Sequence, residues 1–214
     1  MGIPKGDPAV LLRQIVRPGD VVVDVGASDG SVTIAAATLT GPTGRVLAFE
    51  PDGRYEGWLA ILATYPMVEY FPIALSDRAG TVTLHHAPSR QQSSVHPGAV
   101  SKGIVASVDV RATCLDALDG PIDVVKIDTQ GHEVAIVLGG QKWLNGATRW
   151  IVEVWPHGLA AAGTSARDLC DLFWAAGYDV LWADGARVTS DALADWLQHV
   201  DQGFCNVLAL PKVA

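Results

Sequence analysis

The sequence predicts an α/β fold, in which a mostly parallel, seven-stranded sheet is covered by helices on both faces to form a doubly wound sandwich. Short apolar runs rich in β-branched residues, such as 21–25 and 122–127, alternate along the chain with segments whose apolar residues have helical spacing. Strands that are apolar throughout are typical of parallel sheets buried on both faces. We expect the last helix and strand to form an antiparallel hairpin at one edge, and ligands to bind at the carboxyl ends of the central strands.

The individual elements follow from the same alternation, taken from the amino terminus onward. The predicted strands are the apolar runs at 21–25, 46–49, 68–75, 122–127, 150–154, 180–182 and 207–210, with 81–84 as a short extension of the third. The predicted helices lie between them, at 33–39, 58–64, 133–138, 166–176 and 193–200. Gly41 and Pro42 end the first helix and Pro66 ends the second, because glycine and proline interrupt helices.

Length and composition predict one domain that spans residues 1–214. Of the 214 residues, 49% are hydrophobic and 18% are charged, which is ample material for a single core and far from the composition of disordered chains.

The stretch 87–103 differs from the rest because it is long, polar and rich in serine, glutamine and proline. We expect it to be either a lid or wall beside a substrate or a mobile loop, since long loops in compact domains are usually functional or disordered.

Charge and hydropathy argue against several classes of partner. The formal net charge is −8, with 23 acidic residues against 15 basic ones, and no basic stripe is found, so we expect no nucleic-acid partner. Every apolar stretch is far shorter than the ~18 residues that a membrane-spanning helix needs, and the start of the chain lacks the pattern of a signal peptide. The three cysteines form no CxxC pair, which is typical of free thiols in a reducing compartment. We therefore expect a cytoplasmic protein without a membrane partner.

A glycine-containing turn follows the first predicted strand, with the sequence Asp24-Val25-Gly26-Ala27-Ser28-Asp29-Gly30. Gly26 allows a sharp turn and a close approach by a ligand, and Gly30 allows tight packing where the next helix begins. The GxGxxG pattern of dinucleotide-binding proteins is absent, because Ser28 replaces its second glycine. Asp24 would repel a pyrophosphate but would favour a ligand that carries an ammonium group and a sulfonium, as S-adenosylmethionine does.

A carboxylate also ends the second predicted strand. Glu50 follows the run Val46 to Phe49 and lies 20 residues beyond Gly30. An acid in this position can accept hydrogen bonds from both hydroxyls of a ribose. Nicotinamide enzymes share this feature, so Glu50 alone indicates nucleoside binding, and only together with Asp24 does it indicate adenosylmethionine.

Charged residues interrupt two later apolar strands. Lys126 is costly to bury without a partner, and we expect Glu153 to be that partner if the two strands are neighbours. Asp128 ends its strand and is expected to point into the ligand crevice, while Glu133 lies in the first turn of the next helix, where its charge suits the helix dipole.

At these positions the sequence resembles the FkbM-type methyltransferases, which belong to the class I, Rossmann-like superfamily of adenosylmethionine-dependent enzymes. The resemblance covers roughly Val21 to Pro156. It is carried, in order, by the motifs DVGASDGSVT, RVLAFEP, IALSD, a Cys-Leu-Asp segment, VVKIDTQGHE with a following glycine, and IVEVWP. The family usually has asparagine where this chain has Ser28, which bears on how the methionine carboxylate is held.

The resemblance implies a set of cofactor contacts. The methionine portion would be held by Asp24, Gly26, Ala27, Ser28 and Gly30, with Thr33 reaching its carboxylate. Glu50 would bind the ribose beside Pro51, and Ala74, Ser76 and Asp77 would lie near the adenine. Asp128 would lie where cofactor and acceptor meet. Characterised members of the family mostly methylate hydroxyls of sugars or natural products.

Transfer of a methyl group to a hydroxyl benefits from a general base. The candidate catalytic residues near the expected site are Asp128, His132, Glu153 and His157. The position of His132 at a helix start would keep its ring neutral. A divalent metal held by Asp128 and Glu153 is considered but not favoured, because no compact acidic cluster is visible.

Three function classes remain open at this point. The leading one is a small-molecule O-methyltransferase. A nicotinamide-dependent oxidoreductase is disfavoured by the missing GxGxxG pattern and by the lack of a Tyr-x-x-x-Lys segment. A non-catalytic module that binds adenosylmethionine is the third. The identity of the acceptor and the oligomeric state, a homo-oligomer included, are left open by the sequence.

Overall fold

The three-dimensional structure is a computed structural model that describes residues 5–55, 57, 62, 64–100, 102–200 and 203–212. The predicted helix at 58–64 lies mostly outside the described residues. Within the described part of the chain, no helix is long and apolar enough to cross a membrane.

A seven-stranded sheet forms the centre of the molecule, as the alternation of apolar runs predicts. Its strands are β1 (Val21–Val25), β2 (Arg45–Phe49), β3 (Val68–Phe71), β7 (Val124–Ile127), β8 (Arg149–Val154), β9 (Tyr178–Trp182) and β10 (Cys205–Pro211). They lie in the order β3-β2-β1-β7-β8-β10-β9, and all neighbouring pairs are parallel except those of β10, which runs antiparallel to both β8 and β9. The doubly wound fold with an antiparallel hairpin at one edge is thereby confirmed.

Helices cover both faces of this sheet. Those with defined bounds are α1 (Pro8–Ile15), α2 (Ser31–Thr40), α3 (Glu133–Leu138), α4 (Pro156–Ala161), α5 (Ala166–Ala175) and α6 (Ser190–His199). The side chains of Asp7, Ser165 and Thr189 cap α1, α5 and α6 by accepting a hydrogen bond from a backbone N–H of the first turn, which satisfies a donor that the helix itself leaves unpaired.

The core consists of two layers, one on each face of the sheet, because successive strand residues point to opposite faces. Val23 and Val125 face the layer that α3, α5 and α6 complete, whereas Val22 and Val124 face the layer formed with α1 and α2. On this second face the apolar side chains give way to polar ones near the carboxyl ends of the strands. That edge of the sheet is therefore the one that can bind a polar ligand.

A second, three-stranded sheet was not predicted. Its strands are β4 (Ala74–Leu75), β5 (Gly80–His86) and β6 (Ala106–Thr113), in the order β4-β6-β5. The prediction of one strand over 68–75, extended by 81–84, is wrong, because the chain leaves the central sheet after Phe71 and enters the small one. Strand β6 is mostly exposed, with polar residues at alternate positions, so no apolar run marked it.

Candidate active site

A large cavity opens at the carboxyl ends of the parallel strands, where ligands are expected in open α/β sheets. Its volume is about 1310 Å³. Ten of the residues proposed from the sequence line it: Gly26, Ala27, Ser28, Glu50, Pro51, Ala74, Asp128, His132, Glu153 and His157. Five others, namely Asp24, Gly30, Thr33, Ser76 and Asp77, are not among its lining residues.

The turn after β1 brings backbone rather than side chains to the cavity. Gly26 has a φ of 75°, and a Cβ atom at this position would lie 1.9 Å from the carbonyl oxygen of Asp128, so only glycine fits between the two strand ends. Ser28 adopts the left-handed conformation as well, with a φ of 52°. This conformation directs its N–H toward Glu50, which links the turn to the next strand.

Glu50 lies at the end of β2 with only 7% of its surface exposed. Its two oxygens accept hydrogen bonds from Ser28 N at 2.9 Å and from Asp52 N at 2.8 Å. Burial raises the pKa of Glu50 to about 7 despite these bonds. The carboxyl group is thus fixed in orientation, and its remaining lone pairs can accept further hydrogen bonds.

Asp24 and Lys126 form an ion pair beneath the cavity. Lys126 Nζ lies 2.9 Å from Asp24 Oδ1 and donates to the carbonyl oxygen of Gly26 at 2.8 Å. The prediction that Glu153 is the partner of Lys126 is wrong, although β7 and β8 are neighbours. In the sheet register Asp24 lies directly opposite Lys126, whereas Ile151 occupies the equivalent position on β8.

Thr33 completes the buried group. Its hydroxyl donates to Asp24 Oδ2 at 2.6 Å, and both side chains are fully buried. Thr33 therefore does not reach toward a ligand carboxylate. Gly30 serves the packing role expected of it, since a Cβ there would lie 2.4 Å from Leu62.

Asp128, Gln130 and Glu153 form a polar cluster on the cavity surface. Gln130 Nε2 donates to Asp128 Oδ1 at 3.1 Å and to Glu153 Oε2 at 3.0 Å. Burial, together with the nearby carboxylates of Asp128 and Glu133, raises the pKa of Glu153 well above its ordinary value. Two carboxyl groups are thus held together by one amide, and the raised pKa of Glu153 favours a proton on that carboxyl group.

The loop that carries this cluster is held from below by Glu133. Its Oε1 atom accepts hydrogen bonds from Thr129 N at 3.0 Å and from Gly131 N at 3.1 Å. Gln130, between them, has a φ of 56°. The buried carboxylate of Glu133 therefore supports a strained loop conformation that points the Gln130 amide into the cavity.

His132 lines the cavity, but both of its ring nitrogens are occupied. Nε2 lies 2.9 Å from Ser76 Oγ, and Nδ1 lies 2.9 Å from Nε2 of His96. Burial lowers the pKa of His132 to about 4, and the neighbouring His96 adds to this effect, so the ring is neutral as expected. The expectation that His132 acts as a free general base is corrected, because it has no vacant nitrogen for a substrate proton.

Ser76 and Asp77 belong to this hydrogen-bonded chain instead of to an adenine site. The hydroxyl of Ser76 donates to Asp77 Oδ1 at 3.1 Å. The chain connects the end of β4 through His132 to the long segment that contains His96.

That segment, the described residues 87–100 and 102–103, forms one side of the cavity and is called the wall segment below. Ser94 Oγ donates to the carbonyl oxygen of Gln130 at 2.8 Å. Arg54 donates to the carbonyl of Ala87 at 2.9 Å and to Ser93 Oγ at 2.6 Å. These bonds tie the wall segment to the loops after β2 and β7, while its closure as a lid stays a prediction.

Comparison with known proteins gives the family. A sequence profile described as the methyltransferase FkbM domain matches residues 24–180, which is well over half of the chain. The chain belongs to the FkbM methyltransferase family. The comparison with curated proteins found no match.

Solved structures of other methyltransferases share the fold of this FkbM domain. A methyltransferase FkbM from Methylobacillus flagellatus KT is 15% identical, with a TM-score of 0.54 over 95% of this chain and 50% of that one. A precorrin-6y C5,15-methyltransferase from Geobacter metallireducens GS-15 is 16% identical, with a TM-score of 0.54 over 96% and 87%. A candidate rRNA methylase from Clostridium thermocellum is 14% identical, with a TM-score of 0.57 over 96% and 93%. The chain thus spans about half the length of the Methylobacillus protein.

Family membership has two consequences for the sequence-based expectations. It supports methyltransferase chemistry over the nicotinamide-dependent alternative. The exclusion of nucleic acid is not supported by these comparisons, because one protein with this fold is named as an rRNA methylase.

Among the described residues, no group of three or more histidine, cysteine, aspartate or glutamate side chains is arranged to hold a metal ion.

The FkbM domain also has cavity residues that sequence reasoning missed. Gln130 lies inside the recognised motif but was given no role, since its contacts with two carboxyl groups depend on its left-handed backbone. Asn206 and Phe204 line the cavity from the start of β10, and Lys5 from the segment before α1. Phe204 and Asn206 lie more than 45 residues after the last motif, Lys5 lies before the first one, and no local pattern marked any of the three.

Proposed function

We propose that this FkbM domain is an adenosylmethionine-dependent O-methyltransferase that acts on a hydroxyl of a sugar or another small natural product. The proposal rests chiefly on one observation. The buried carboxyl group of Glu50 and the carboxyl pair of Asp128 and Glu153 line the same cavity. Strands lie ~4.8 Å apart in a sheet, so Glu50 on β2 and Glu153 on β8 are separated by three strand spacings, or roughly 14 Å. This separation leaves room for a nucleoside beside Glu50 and for an acceptor beside Glu153.

The residues present fit adenosylmethionine. Glu50 can accept hydrogen bonds from the two ribose hydroxyls. Pro51 follows Glu50 in the chain, and Ala74, Ile73 and Leu84 also line the cavity, where such apolar surface suits a flat aromatic base. The turn from Gly26 to Ser28 would hold the methionine portion, with Lys126 and Asp24 supporting the turn from below through the Gly26 carbonyl.

Adenosylmethionine, held by Glu50 and the turn from Gly26 to Ser28, would supply an electrophilic methyl group for the new C–O bond, and its sulfur would keep the electron pair of the C–S bond. Asp128 is the group that we assign to take the hydroxyl proton. Gln130 fixes its orientation by donating to Oδ1. Glu153, which favours its protonated form, adds no second negative charge beside Asp128. His157 lines the cavity but is exposed, and is the second candidate for the base.

The assignment of a small-molecule acceptor rests on the net charge of the protein. The net charge of −8 opposes a polyanionic acceptor such as RNA. The proposal assigns the hydroxyl proton to Asp128 and assigns no step to a divalent metal.

Calorimetric titration with S-adenosylhomocysteine tests the cofactor assignment. Wild type should bind, and Glu50→Ala should reduce the affinity at least tenfold, since it removes both ribose contacts. Glu69→Ala is the matched control, because Glu69 is exposed on β3, does not line the cavity and pairs with the exposed Arg45 at 2.6 Å. Equal affinity in wild type and Glu50→Ala would reject the ribose assignment.

A non-catalytic binding module would also bind adenosylhomocysteine. It would differ in transferring no label from methyl-labelled adenosylmethionine to any hydroxylated acceptor. Titration with NADH provides the second comparison, and tight binding of NADH would contradict the proposal.

A further inference from the structure

The edge of the cavity formed by β8 and β10 carries a buried polar group that the proposed mechanism does not use. Asn206 is the second residue of β10 and lies directly opposite Glu153 in the antiparallel pair. Directly opposite residues in such a pair point to the same face of the sheet. Asn206 therefore lies at the cavity edge beside the proposed catalytic cluster, and far from Glu50.

The amide of Asn206 has a defined orientation. Its Nδ2 donates to the carbonyl oxygen of Gly6 at 2.9 Å, and its backbone N–H donates to the carbonyl oxygen of Lys5 at 2.7 Å. A flipped amide would bring Oδ1 against the Gly6 carbonyl, where two acceptors repel each other. The donor side of the amide is thus engaged with the segment before α1.

The acceptor side of the same amide has no such partner. Asn206 is only 2% exposed, and within the described part of the chain no group donates a hydrogen bond to its Oδ1. A buried acceptor that is left unpaired destabilises the fold, and Asn206 lines the cavity. A fixed, buried acceptor at a cavity wall is suited to receive a hydrogen bond from a ligand.

The surroundings indicate the shape of that ligand. Trp155 and Phe204 line the cavity as well. They are the chain neighbours of the paired residues Val154 and Cys205, so they present aromatic surface next to Glu153 and Asn206. Lys5 Nζ lies 4.7 Å from the centre of the Phe204 ring. Flat aromatic side chains beside a few fixed polar groups are typical of sites for ring-shaped, hydroxylated molecules.

We propose that Asn206 is a specificity residue for the acceptor, and that its Oδ1 accepts a hydrogen bond from a second hydroxyl next to the one that is methylated. The acceptor is then a molecule with two neighbouring hydroxyls on a ring, whether a sugar or a catechol. This inference rests on the proposed function, because it assigns the acceptor end of the same cavity. If Asn206 has this role, the enzyme methylates the diol faster than an analogue that lacks the second hydroxyl, because that analogue leaves Oδ1 of Asn206 unpaired.

The test compares matched pairs of probes. The first pair is a methyl hexoside and its deoxy analogue that retains one hydroxyl of the diol, and the second is catechol and phenol. Transfer of label from methyl-labelled adenosylmethionine gives kcat/KM for each probe. For wild type we expect one diol to be methylated 10- to 100-fold faster than its analogue, a difference in line with the cost of an unpaired buried acceptor. The pair that responds distinguishes a sugar from a catechol.

Asn206→Leu should reduce this preference to within threefold by removing Oδ1. Asn145→Leu alters the only other asparagine of the chain, which is exposed and does not line the cavity, and should retain the wild-type preference. A merely structural role of Asn206 would slow both members of a pair equally, and that result would overturn the inference.

The outcomes separate the two proposals. If wild type binds adenosylhomocysteine but methylates no diol probe, or methylates both members of each pair equally, the inference about Asn206 is overturned. If wild type fails to bind adenosylhomocysteine at all, the proposed function itself is overturned. Adenosylhomocysteine binding to Asn206→Leu within twofold of wild type shows that the cofactor end is intact in that variant.

Discussion

Lys126 Nζ and Asp24 Oδ1 lie 2.9 Å apart on neighbouring parallel strands, and both side chains are almost completely buried. The pair stands at the point where the apolar layer under α1 and α2 meets the polar edge of the cavity. Through the Gly26 carbonyl, Lys126 also holds the turn that we assign to the cofactor. The ion pair thus couples the stability of the core to the shape of the site.

Removing one partner of this pair should be far more costly than removing both. Lys126→Met leaves the Asp24 carboxylate buried with only the Thr33 hydroxyl, and should reduce the free energy of unfolding by about 3–5 kcal/mol. The double variant Lys126→Met/Asp24→Leu should recover part of this loss. Urea denaturation of the four members of the mutant cycle measures both effects. A double variant whose loss of stability relative to wild type equals the sum of the two single losses would contradict a direct coupling.

Binding of adenosylhomocysteine should weaken as the pH falls below 7. The pKa of Glu50 is about 7, so at pH 6 most of the molecules carry a neutral carboxyl group, which is a poorer acceptor for the ribose hydroxyls. We expect about a tenfold lower affinity per pH unit below the pKa when only the ionised form binds. Calorimetry between pH 5.5 and 8 measures this dependence of the affinity on pH, and Glu50→Gln should remove it. A dependence that persists in Glu50→Gln would be caused by another titrating group.

His132 should make the protein less stable in mild acid. Its pKa is lowered to about 4 in the folded protein, whereas an unfolded histidine has a pKa near ~6.5. The folded state therefore binds this proton less readily, so the stability that is present above the unfolded pKa is lost as the pH falls toward 4. The loss should amount to about 3 kcal/mol near pH 4, of which about 2 kcal/mol is reached by pH 5. Urea denaturation at pH 7, 6, 5 and 4 measures it.

His132→Gln should flatten this part of the pH profile, because glutamine does not titrate. His199→Gln is a suitable control, since His199 is an exposed histidine of α6. A profile in His132→Gln that is parallel to that of wild type would show that other groups cause the loss.

Gln130 should matter for turnover but not for cofactor binding. Gln130→Gly tolerates the left-handed backbone but removes the amide that joins Asp128 and Glu153, so the proposed base loses its fixed orientation. On a hydroxylated probe that wild type methylates, we expect kcat to fall about tenfold or more, with the affinity for adenosylhomocysteine within twofold. Radiometric assays and calorimetry separate the two quantities. An unchanged kcat would remove Gln130 from the mechanism.

Gly26→Ala should destabilise the protein by more than a positive φ alone explains. The added Cβ would lie 1.9 Å from the Asp128 carbonyl oxygen, so the ends of β1 and β7 must separate. Gly146 has a similar φ of 78° but nothing within 4 Å of its Cβ position, and Gly146→Ala should cost about 1 kcal/mol. We expect Gly26→Ala to exceed this by about 2 kcal/mol or more. Chemical denaturation of both variants isolates the cost of the close approach, and equal losses would disprove it.

The sequence alone determined the central sheet, the glycine turn and the acid at the end of the second strand. Each of these depends on residues that are adjacent in the chain: an apolar run forms a buried strand, a glycine permits a turn, and the strand end positions Glu50. The family motifs lie in the same local stretches. The small sheet was missed for the converse reason, because β6 is exposed and has no apolar run.

The tertiary structure alone decided which polar groups meet. Lys126 pairs with Asp24 and not with Glu153 because the strand register sets them directly opposite each other, and register depends on hydrogen bonds between distant segments. His132 lost its expected role because Ser76 and His96, both far from it in the chain, occupy its ring nitrogens. Asn206 comes to the cavity because β10 inserts antiparallel between β8 and β9. Such contacts join residues up to 200 positions apart, and no local pattern in the sequence records them.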